Sequence, residues 1–498
     1  MLSKKKSISE LLQSWQYDEE LKQNIIHWHT LDGKRAEYAP FPDELHPSLQ
    51  KALRLRGIEQ LYTHQREAFD KATSGTSFTA ITPTASGKSL CYHLPVLQEI
   101  INDKSSRAIY LFPTKALAQD QKTDLNELIE ATGEEVLSYT YDGDTAPGIR
   151  TKIRKAGHIV MTNPDMLHSG ILPHHTKWVS LFENLKYIVI DELHTYKGVF
   201  GSHVAHVIRR LKRICAFYGA NPIFICTSAT IKNPKELAES LTNEKHELIT
   251  KSGAPVGKKT FIFYNPPIVN PTFGVRRSAV LEVRDLSKRL FEAGIQTIIF
   301  AKSRVRVEML VTYLKSLTFN KIGDESIQGY RGGYLPSERR AIEKGLRDGS
   351  IQMVVSTNAL ELGVDIGQLQ ACIMTGYPGN IASAWQQAGR AGRRQEEALI
   401  IYVAQSTALD QYIVNHPTYF FGTHPEEVRI NPDNIIILMD HLKCAAFELP
   451  FSMTDTYGEF TVQELLAYLE EEGVLVKTST QWHWMSDRFP AHEISLRS

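Results

Sequence analysis

Short apolar runs rich in Val, Ile and Phe alternate with longer stretches whose apolar residues recur at helical spacing, and the alternation occurs twice. In the first series Ser77–Thr82 (SFTAIT), Arg107–Pro113 (RAIYLFP), Val136–Tyr141, His158–Asn163 (HIVMTN), Tyr187–Asp191 (YIVID) and Pro222–Ser228 (PIFICTS) read as strands. Such runs suit the interior of a parallel sheet covered on both faces by crossover helices. The second series places strands at Gln296–Ala301, Ile327–Arg331, Ile351–Thr357, Ala371–Gly376 and Ala398–Ala404. Between the two, Lys251–Arg277 is rich in Gly, Pro, Lys and Asn and reads as an interdomain linker, with one strand available in FIFY (Phe261–Tyr264). Past Glu426 the pattern turns helical. Thr461–Glu472 sets Leu465, Leu466 and Leu469 on one face, and Gly473 ends the helix. Val474–Lys477 and Gln481–Met485 then pair as a hairpin across Ser479–Thr480, so a helix followed by a hairpin is compatible with a winged helix. Residues 1–45 read as helical segments with a Pro-rich connector (Pro40, Pro42). The expected organisation is an N-terminal helical extension (1–45), two α/β domains (46–255 and 256–425) and a winged-helix region (426–498).

A chain of 498 residues has ample material for several cores. Its formal net charge of zero argues against indiscriminate polyanion binding but leaves room for a local basic channel. The five cysteines include no C-x-x-C pair, so buried thiols in a reducing compartment are expected, with neither a zinc site nor a disulfide framework. No apolar run is long enough to span a bilayer, and MLSKKKSISE lacks the apolar core of a signal peptide. A cytoplasmic, nucleoid-associated protein is the expectation.

Chemistry enters at Thr82-Pro83-Thr84-Ala85-Ser86-Gly87-Lys88-Ser89. A tight turn between a strand and a helix points backbone N–H groups at phosphates. Lys88 supplies a mobile cation for the β and γ phosphates, and Ser89 offers a hydroxyl to Mg²⁺. The loop departs from G-x-x-x-x-G-K-[ST] at Thr82, and Ala85 stands where many helicases carry glycine. Downstream, the YIVID strand delivers Asp191 to a Mg²⁺ shell and Glu192 to the attacking water. Only one such loop accompanies the two sheets, which suggests ATP held between two similar domains.

Other motifs gain meaning from this pair. Gln65, in LYTHQREAF, can pair an amide with an adenine edge. Ser228-Ala229-Thr230 leaves a strand beyond the acidic motif and reads as a coupling element, and His194 beside Glu192 could link hydrolysis to domain closure. In Gln386–Arg394 (QQAGRAGRR), Gln386 joins the coupling set. Arg393 is the choice for a γ-phosphate finger with Arg390 beside it, against a solvated basic loop. In STNALELGVDIG, Gly363 permits a tight turn and Asp365 could accept from a ribose hydroxyl or serve only as a turn carboxylate. Hydroxyls, amides and cations at strand ends suggest a track for one nucleic-acid strand: Thr114 and Lys115, Thr162 and Asn163, Ser303 and Arg304, and Thr357. His174, His175, His203 and His206 lack partners at metal-ligand spacing and read as scattered surface histidines. Trp482 and Trp484 alternate along a strand and read as wing packing.

In this order, these motifs resemble the superfamily 2 helicases over roughly residues 50–405. TPTASGKS, YDGDT (Tyr141–Thr145), TNPDMLH, DELHTYKGVFGSHVAHVIRRL and QQAGRAGRR are similar to the bacterial MrfA (YprA) DNA-repair helicases and their fungal RecQ-like relatives. The resemblance implies two tandem RecA-like domains followed by a winged helix. It also implies ATP- and Mg²⁺-dependent 3′-to-5′ movement on single-stranded DNA, acting on tailed or damaged duplexes as a monomer in repair. DELH in place of DEAD, and Gln386-Gln387 in place of His-Arg, disfavour the RNA-specialised mode. An RNA-dependent ATPase is the first alternative and a scaffold without hydrolysis the second. The family continues into a domain with four cysteine metal ligands, which this sequence lacks, so it is expected to be a fragment.

Overall fold

The computed structural model describes residues 6–83, 86–318, 324–361, 364, 366–367, 369–392, 397–422, 426–458 and 460–498. Contacts divide the chain into two compact units that do not follow sequence order. One comprises Tyr38–Thr82, Gly87–Ser252 and Glu427–Ser498; the other comprises Met1–Glu37, Pro83–Ser86 and Gly253–Glu426.

The first unit holds a seven-stranded, wholly parallel sheet in the order Glu247–Ile249, Phe78–Ile81, Ile223–Ser228, Leu185–Ile190, Arg107–Leu111, Ile159–Thr162, Ser138–Thr140. Its apolar runs are buried on both faces. Ala108, Tyr110 and Val189 join one core, whereas Ile109, Ile188 and Ile190 join the other, as period-two alternation requires. The short edge strand Glu247–Ile249 had no distinctive run to mark it.

The winged-helix segment lies in this same unit. Helices Ile435–Glu448 and Gln463–Glu471 pack on a three-stranded sheet of Phe451–Ser452, Gln481–Trp484 and Leu475–Lys477. Leu475 pairs with Trp484 and Lys477 with Trp482, so the expected hairpin is present. Trp482 is buried and donates to Glu470 Oε2 at 3.1 Å, while Trp484 meets the Phe447 ring edge-on, which agrees with wing packing.

The histidines are the clearest departure from expectation. His203 and His206 are buried rather than exposed, because helix Gly198–Phe217 packs against helix Ile435–Glu448, and His175 is buried with its ring on the Tyr218 hydroxyl and the Glu448 carbonyl. Arg210, fully buried, forms an ion pair with Glu448 and donates from Nη1 to His168 Nδ1 at 2.6 Å and to His441 Nδ1 at 3.4 Å. Those bonds set the tautomers: His168 Nε2–H donates to the Ala491 carbonyl at 3.0 Å, and His441 Nε2–H donates to His203 Nδ1 at 3.0 Å. His206 Nε2 donates to the Pro432 carbonyl at 2.7 Å. Burial and the Arg210 charge hold His168 down at about 3, and burial with the Arg209 charge does the same for His206, so both rings are neutral. A buried ion pair of this kind costs about 3–5 kcal/mol when one partner is removed.

The second unit carries another seven-stranded sheet: Ile25–Leu31, Lys259–Tyr264, Ala398–Val403, Ala371–Thr375, Thr297–Phe300, Met353–Ser356, Ile327–Tyr330. All neighbours are parallel except Ile25–Leu31, which runs antiparallel on the edge. Two readings change here. The N-terminal segment is not only helical: after helices Ile8–Gln16 and Glu19–Lys22 it supplies an edge strand. In the stretch read as a linker, the strand expected in FIFY is present as part of the internal strand Lys259–Tyr264, and a small hairpin of Ile268–Asn270 with Val275–Arg276 that was not expected follows it. Among the described residues no helix is long and apolar enough to cross a membrane.

Candidate functional site

In the first sheet, strand Ile223–Ser228 lies between Phe78–Ile81 and Leu185–Ile190, and the carboxyl ends of all three open on one rim. Ligands of open parallel sheets bind at that edge. Phe78–Ile81 leads through buried Thr82 and exposed Pro83 towards buried Ser86, then to Gly87, Lys88 and Ser89, which enters helix Leu90–Asn102. Thr84 and Ala85 lie outside the described residues. Gly87 has φ +76°, and a Cβ there would stand 2.6 Å from Gln65 Nε2. Both facts demand glycine. Gln65 is buried, donates to the Gly87 carbonyl at 3.0 Å and accepts from the Tyr62 N–H at 3.0 Å. It therefore ties helix Thr63–Thr73 to the phosphate loop, and an amide keeps further donor and acceptor capacity for a base edge.

Asp191 and Glu192 follow strand Leu185–Ile190 directly and are both buried. Asp191 Oδ1 accepts from the Thr227 hydroxyl and from the Glu192 N–H, the latter at 2.9 Å. Burial and the neighbouring Glu192 charge raise the Asp191 carboxyl, while Lys88 and these hydrogen bonds oppose the rise. Glu192 itself sits at φ +53°, a left-handed conformation unusual for a non-glycine residue. His194 Nδ1 accepts from the Ala229 N–H at 3.3 Å and stands 3.4 Å from Ser228 Oγ and 3.5 Å from Glu192 Oε2. Burial lowers its pKa against the pull of Glu192. The acidic motif and the Ser-Ala-Thr exit thus meet through one imidazole, whereas Thr230 is exposed at the end of that exit.

These donors fit a nucleotide-bound divalent cation. Both Asp191 bonds fall on Oδ1, leaving Oδ2 to face a metal, and the Ser89 hydroxyl makes no capping bond to its helix. Phosphates accumulate charge that such a cation neutralises.

Farther along this rim, Thr114 and Lys115 are exposed at the start of helix Lys115–Thr132. Thr114 caps that helix, accepting from Leu117 N–H at 3.3 Å, and Lys115 pairs with Asp144 at 2.9 Å. Asn163 caps the next turn by accepting from Met166 N–H at 2.9 Å. Thr162 does not face outward as expected: it is buried and donates to the Tyr141 carbonyl at 2.7 Å. Its hydroxyl anchors the Tyr141–Thr145 loop, so it is a positioning residue and not a strand contact.

In the second sheet, Ser303 and Arg304 are exposed after strand Thr297–Phe300, and Thr357 follows Met353–Ser356. Helix Ile381–Ala388 brings buried Gln386 to this region. Arg390 is buried, with Nη1 on the Val364 carbonyl at 3.0 Å and Nη2 on the Glu361 carbonyl at 2.7 Å, so its guanidinium braces its own loop. Glu361 is the hub that sequence reading missed, accepting also from Ser383 at 2.6 Å and Gln387 at 3.0 Å. Gly363, Asp365 and Arg393 lie outside the described residues. Thr227 was missed as well; its place directly before Ser228 was the available signal. The described residues contain no cluster of His, Cys, Asp and Glu suited to a metal without a nucleotide.

Three family descriptions match this chain: a DEAD/DEAH box helicase over residues 62–237, a helicase conserved C-terminal domain over 282–395, and the winged helix domain of ATP-dependent helicase HRQ1 over 430–498. The ATP-dependent helicase YprA of Bacillus subtilis is 62% identical over 99% of this chain and 66% of its own length. ATP-dependent helicase hrq1 of Schizosaccharomyces pombe is 36% identical over 99% of this chain and 47% of its own. A crystal structure of the DUF1998 helicase MrfA bound to DNA and AMPPNP superposes with a TM-score of 0.95 at 62% identity, covering 99% of this chain and 68% of that one. The chain thus spans about two thirds or less of the length of these two curated relatives.

Proposed function

Because the chain belongs to the superfamily 2 helicases of the MrfA and Hrq1 type, we propose that it couples ATP hydrolysis to 3′-to-5′ movement along single-stranded DNA, in the service of DNA repair. The observation that carries this reading is the convergence of Lys88, Ser89, Asp191, Glu192 and Thr227 on one sheet rim. Lys88 and the loop N–H groups would bind phosphate oxygens, and Ser89 and Asp191 would hold Mg²⁺, which would supply positive charge to the phosphates. Glu192 would orient the attacking water. Arg393 is assigned the charge that develops on the γ-phosphate, and Gln65 the adenine edge. His194 and Ser228 carry a change at Glu192 to the Ser228–Thr230 exit, with Gln386 in the same coupling role.

Thr114, Lys115, Asn163, Ser303, Arg304 and Thr357 would follow the DNA backbone, since helix-capping hydroxyls, amides and N-terminal N–H groups bind phosphate without reading sequence. DNA is favoured over RNA because DNA is the polymer bound in the MrfA crystal structure that this chain resembles. Rates of ATP hydrolysis with single-stranded DNA and RNA at matched salt test the assignment. Stimulation by DNA is expected; stimulation by RNA alone would overturn it.

A further inference from the structure

The hairpin in the former linker has a composition and placement that phosphate binding does not explain. It follows strand Lys259–Tyr264 by Asn265-Pro266-Pro267 and pairs Ile268 with Arg276 and Asn270 with Val275. Its base is closed by Arg276 Nη1 on the Pro266 carbonyl at 2.7 Å and Arg277 N–H on the Pro267 carbonyl at 2.9 Å. Its turn is set by Asn270 Oδ1, which accepts from Phe273 N–H at 3.3 Å, and by Gly274 at φ +63°. This is a built element, yet its side chains point into solvent: Phe273 is 80% exposed and Val269 59%. No charged residue occurs from Ile268 to Val275. Apolar side chains presented this way mark an interaction surface, and its nearest cations in sequence, Arg276 and Arg277, sit at its base, not at its tip.

Position identifies the ligand. Strand Lys259–Tyr264 is parallel to Ala398–Val403, Ala371–Thr375, Thr297–Phe300 and Met353–Ser356 in turn. The hairpin therefore leaves the same carboxyl rim that carries Ser303, Arg304 and Thr357, three strand spacings or roughly 14 Å from the first of these strands. Asn265 and Gln411 exchange two amide hydrogen bonds, each 3.1 Å, which brace the foot of the hairpin on helix Ala408–Asn415. That helix exposes a second aromatic surface, with Tyr412 half exposed and its ring stacked on His416 at 4.3 Å. A hairpin with an apolar, uncharged tip beside a row of phosphate-binding groups is placed to meet bases where that strand leaves a duplex. Apolar wedges of this kind unstack base steps.

Resting on the DNA-motor reading above, we propose that the hairpin Ile268–Arg276 parts the duplex, with Phe273 stacking on the terminal base pair at the single-strand junction. The test places 2-aminopurine in the last base pair of a 3′-tailed duplex and follows its fluorescence on protein binding without hydrolysis. The full chain should brighten the probe, Phe273→Ala should lose most of the rise, and Phe273→Trp should keep it. Strand displacement by Phe273→Ala should fall about fivefold or more, with affinity for single-stranded DNA and DNA-stimulated ATP hydrolysis little changed. Equal brightening by Phe273→Ala, or none by the unaltered chain, would overturn the proposal and return the hairpin to a protein-docking surface. A parallel loss of DNA-stimulated hydrolysis in that variant would overturn it too. Failure of the unaltered chain to respond to DNA in the ATPase assay would instead count against the motor reading.

Discussion

Thr227 donates its hydroxyl hydrogen to Asp191 Oδ1, across the gap between two neighbouring parallel strands. The bond holds one oxygen of the carboxylate still and leaves the other to a cation. Thr227→Val keeps the strand and its shape but deletes the donor. It should lower kcat/KM for ATP hydrolysis about tenfold, the worth of one hydrogen bond to a charged group, with a higher Mg²⁺ requirement. Steady-state hydrolysis across a Mg²⁺ titration checks this, and an unchanged Mg²⁺ midpoint would remove Thr227 from the site.

Glu192 carries the proposed general-base role, and its left-handed backbone is the kind of local strain, about 1–3 kcal/mol, that persists at functional sites. Glu192→Gln should reduce turnover about a hundredfold or more while ATP and DNA binding persist. Equilibrium binding of a fluorescent ATP analogue, read beside hydrolysis, separates the two effects.

Arg390 and Arg393 should differ in kind. Arg390→Ala removes donors from the carbonyls of Glu361 and Val364 and should lower the melting temperature together with activity. Arg390→Lys should not rescue it, since an ammonium cannot reproduce the planar fork. Arg393→Ala should leave the melting temperature in place and cut kcat about a hundredfold or more. Melting curves and hydrolysis rates measured on the same preparations decide this.

Acid should loosen the unit that carries the winged helix. His168 and His206 are held at about 3 in the fold, below their ordinary value, so the unfolded chain binds protons that the folded chain does not. Their contribution is complete above about 6.5 and falls as the pH drops from there towards 3, by about 1.4 kcal/mol per pH unit for each histidine. Thermal melts at neutral and mildly acidic pH should show the loss, and His206→Gln should shrink it. Identical slopes would contradict the neutral network.

The parallel sheets, the two nucleotide motifs and the terminal hairpin were legible because each is written locally. Uninterrupted apolar runs such as YIVID are buried on both faces, and Leu475–Lys477 pairs with Gln481–Trp484 across a short turn. Residues whose roles depend on distant partners were not legible. Ile25–Leu31 becomes a strand by pairing with Lys259–Tyr264, and His203 is buried where it meets His441 on a helix distant in sequence. Arg390 and Arg393 share one motif, and the inward turn of Arg390 is set by carbonyls at Glu361 and Val364. Thr162 looked outward from its place at a strand end, yet the Tyr141 carbonyl draws its hydroxyl inside.

Strand displacement from matched 3′- and 5′-tailed DNA duplexes with Mg²⁺ and ATP tests the proposed 3′-to-5′ motor most sharply. Displacement from the 3′-tailed duplex should require ATP and disappear in Glu192→Gln. Displacement from the 5′-tailed duplex alone, or release that persists without ATP or in that variant, would contradict it.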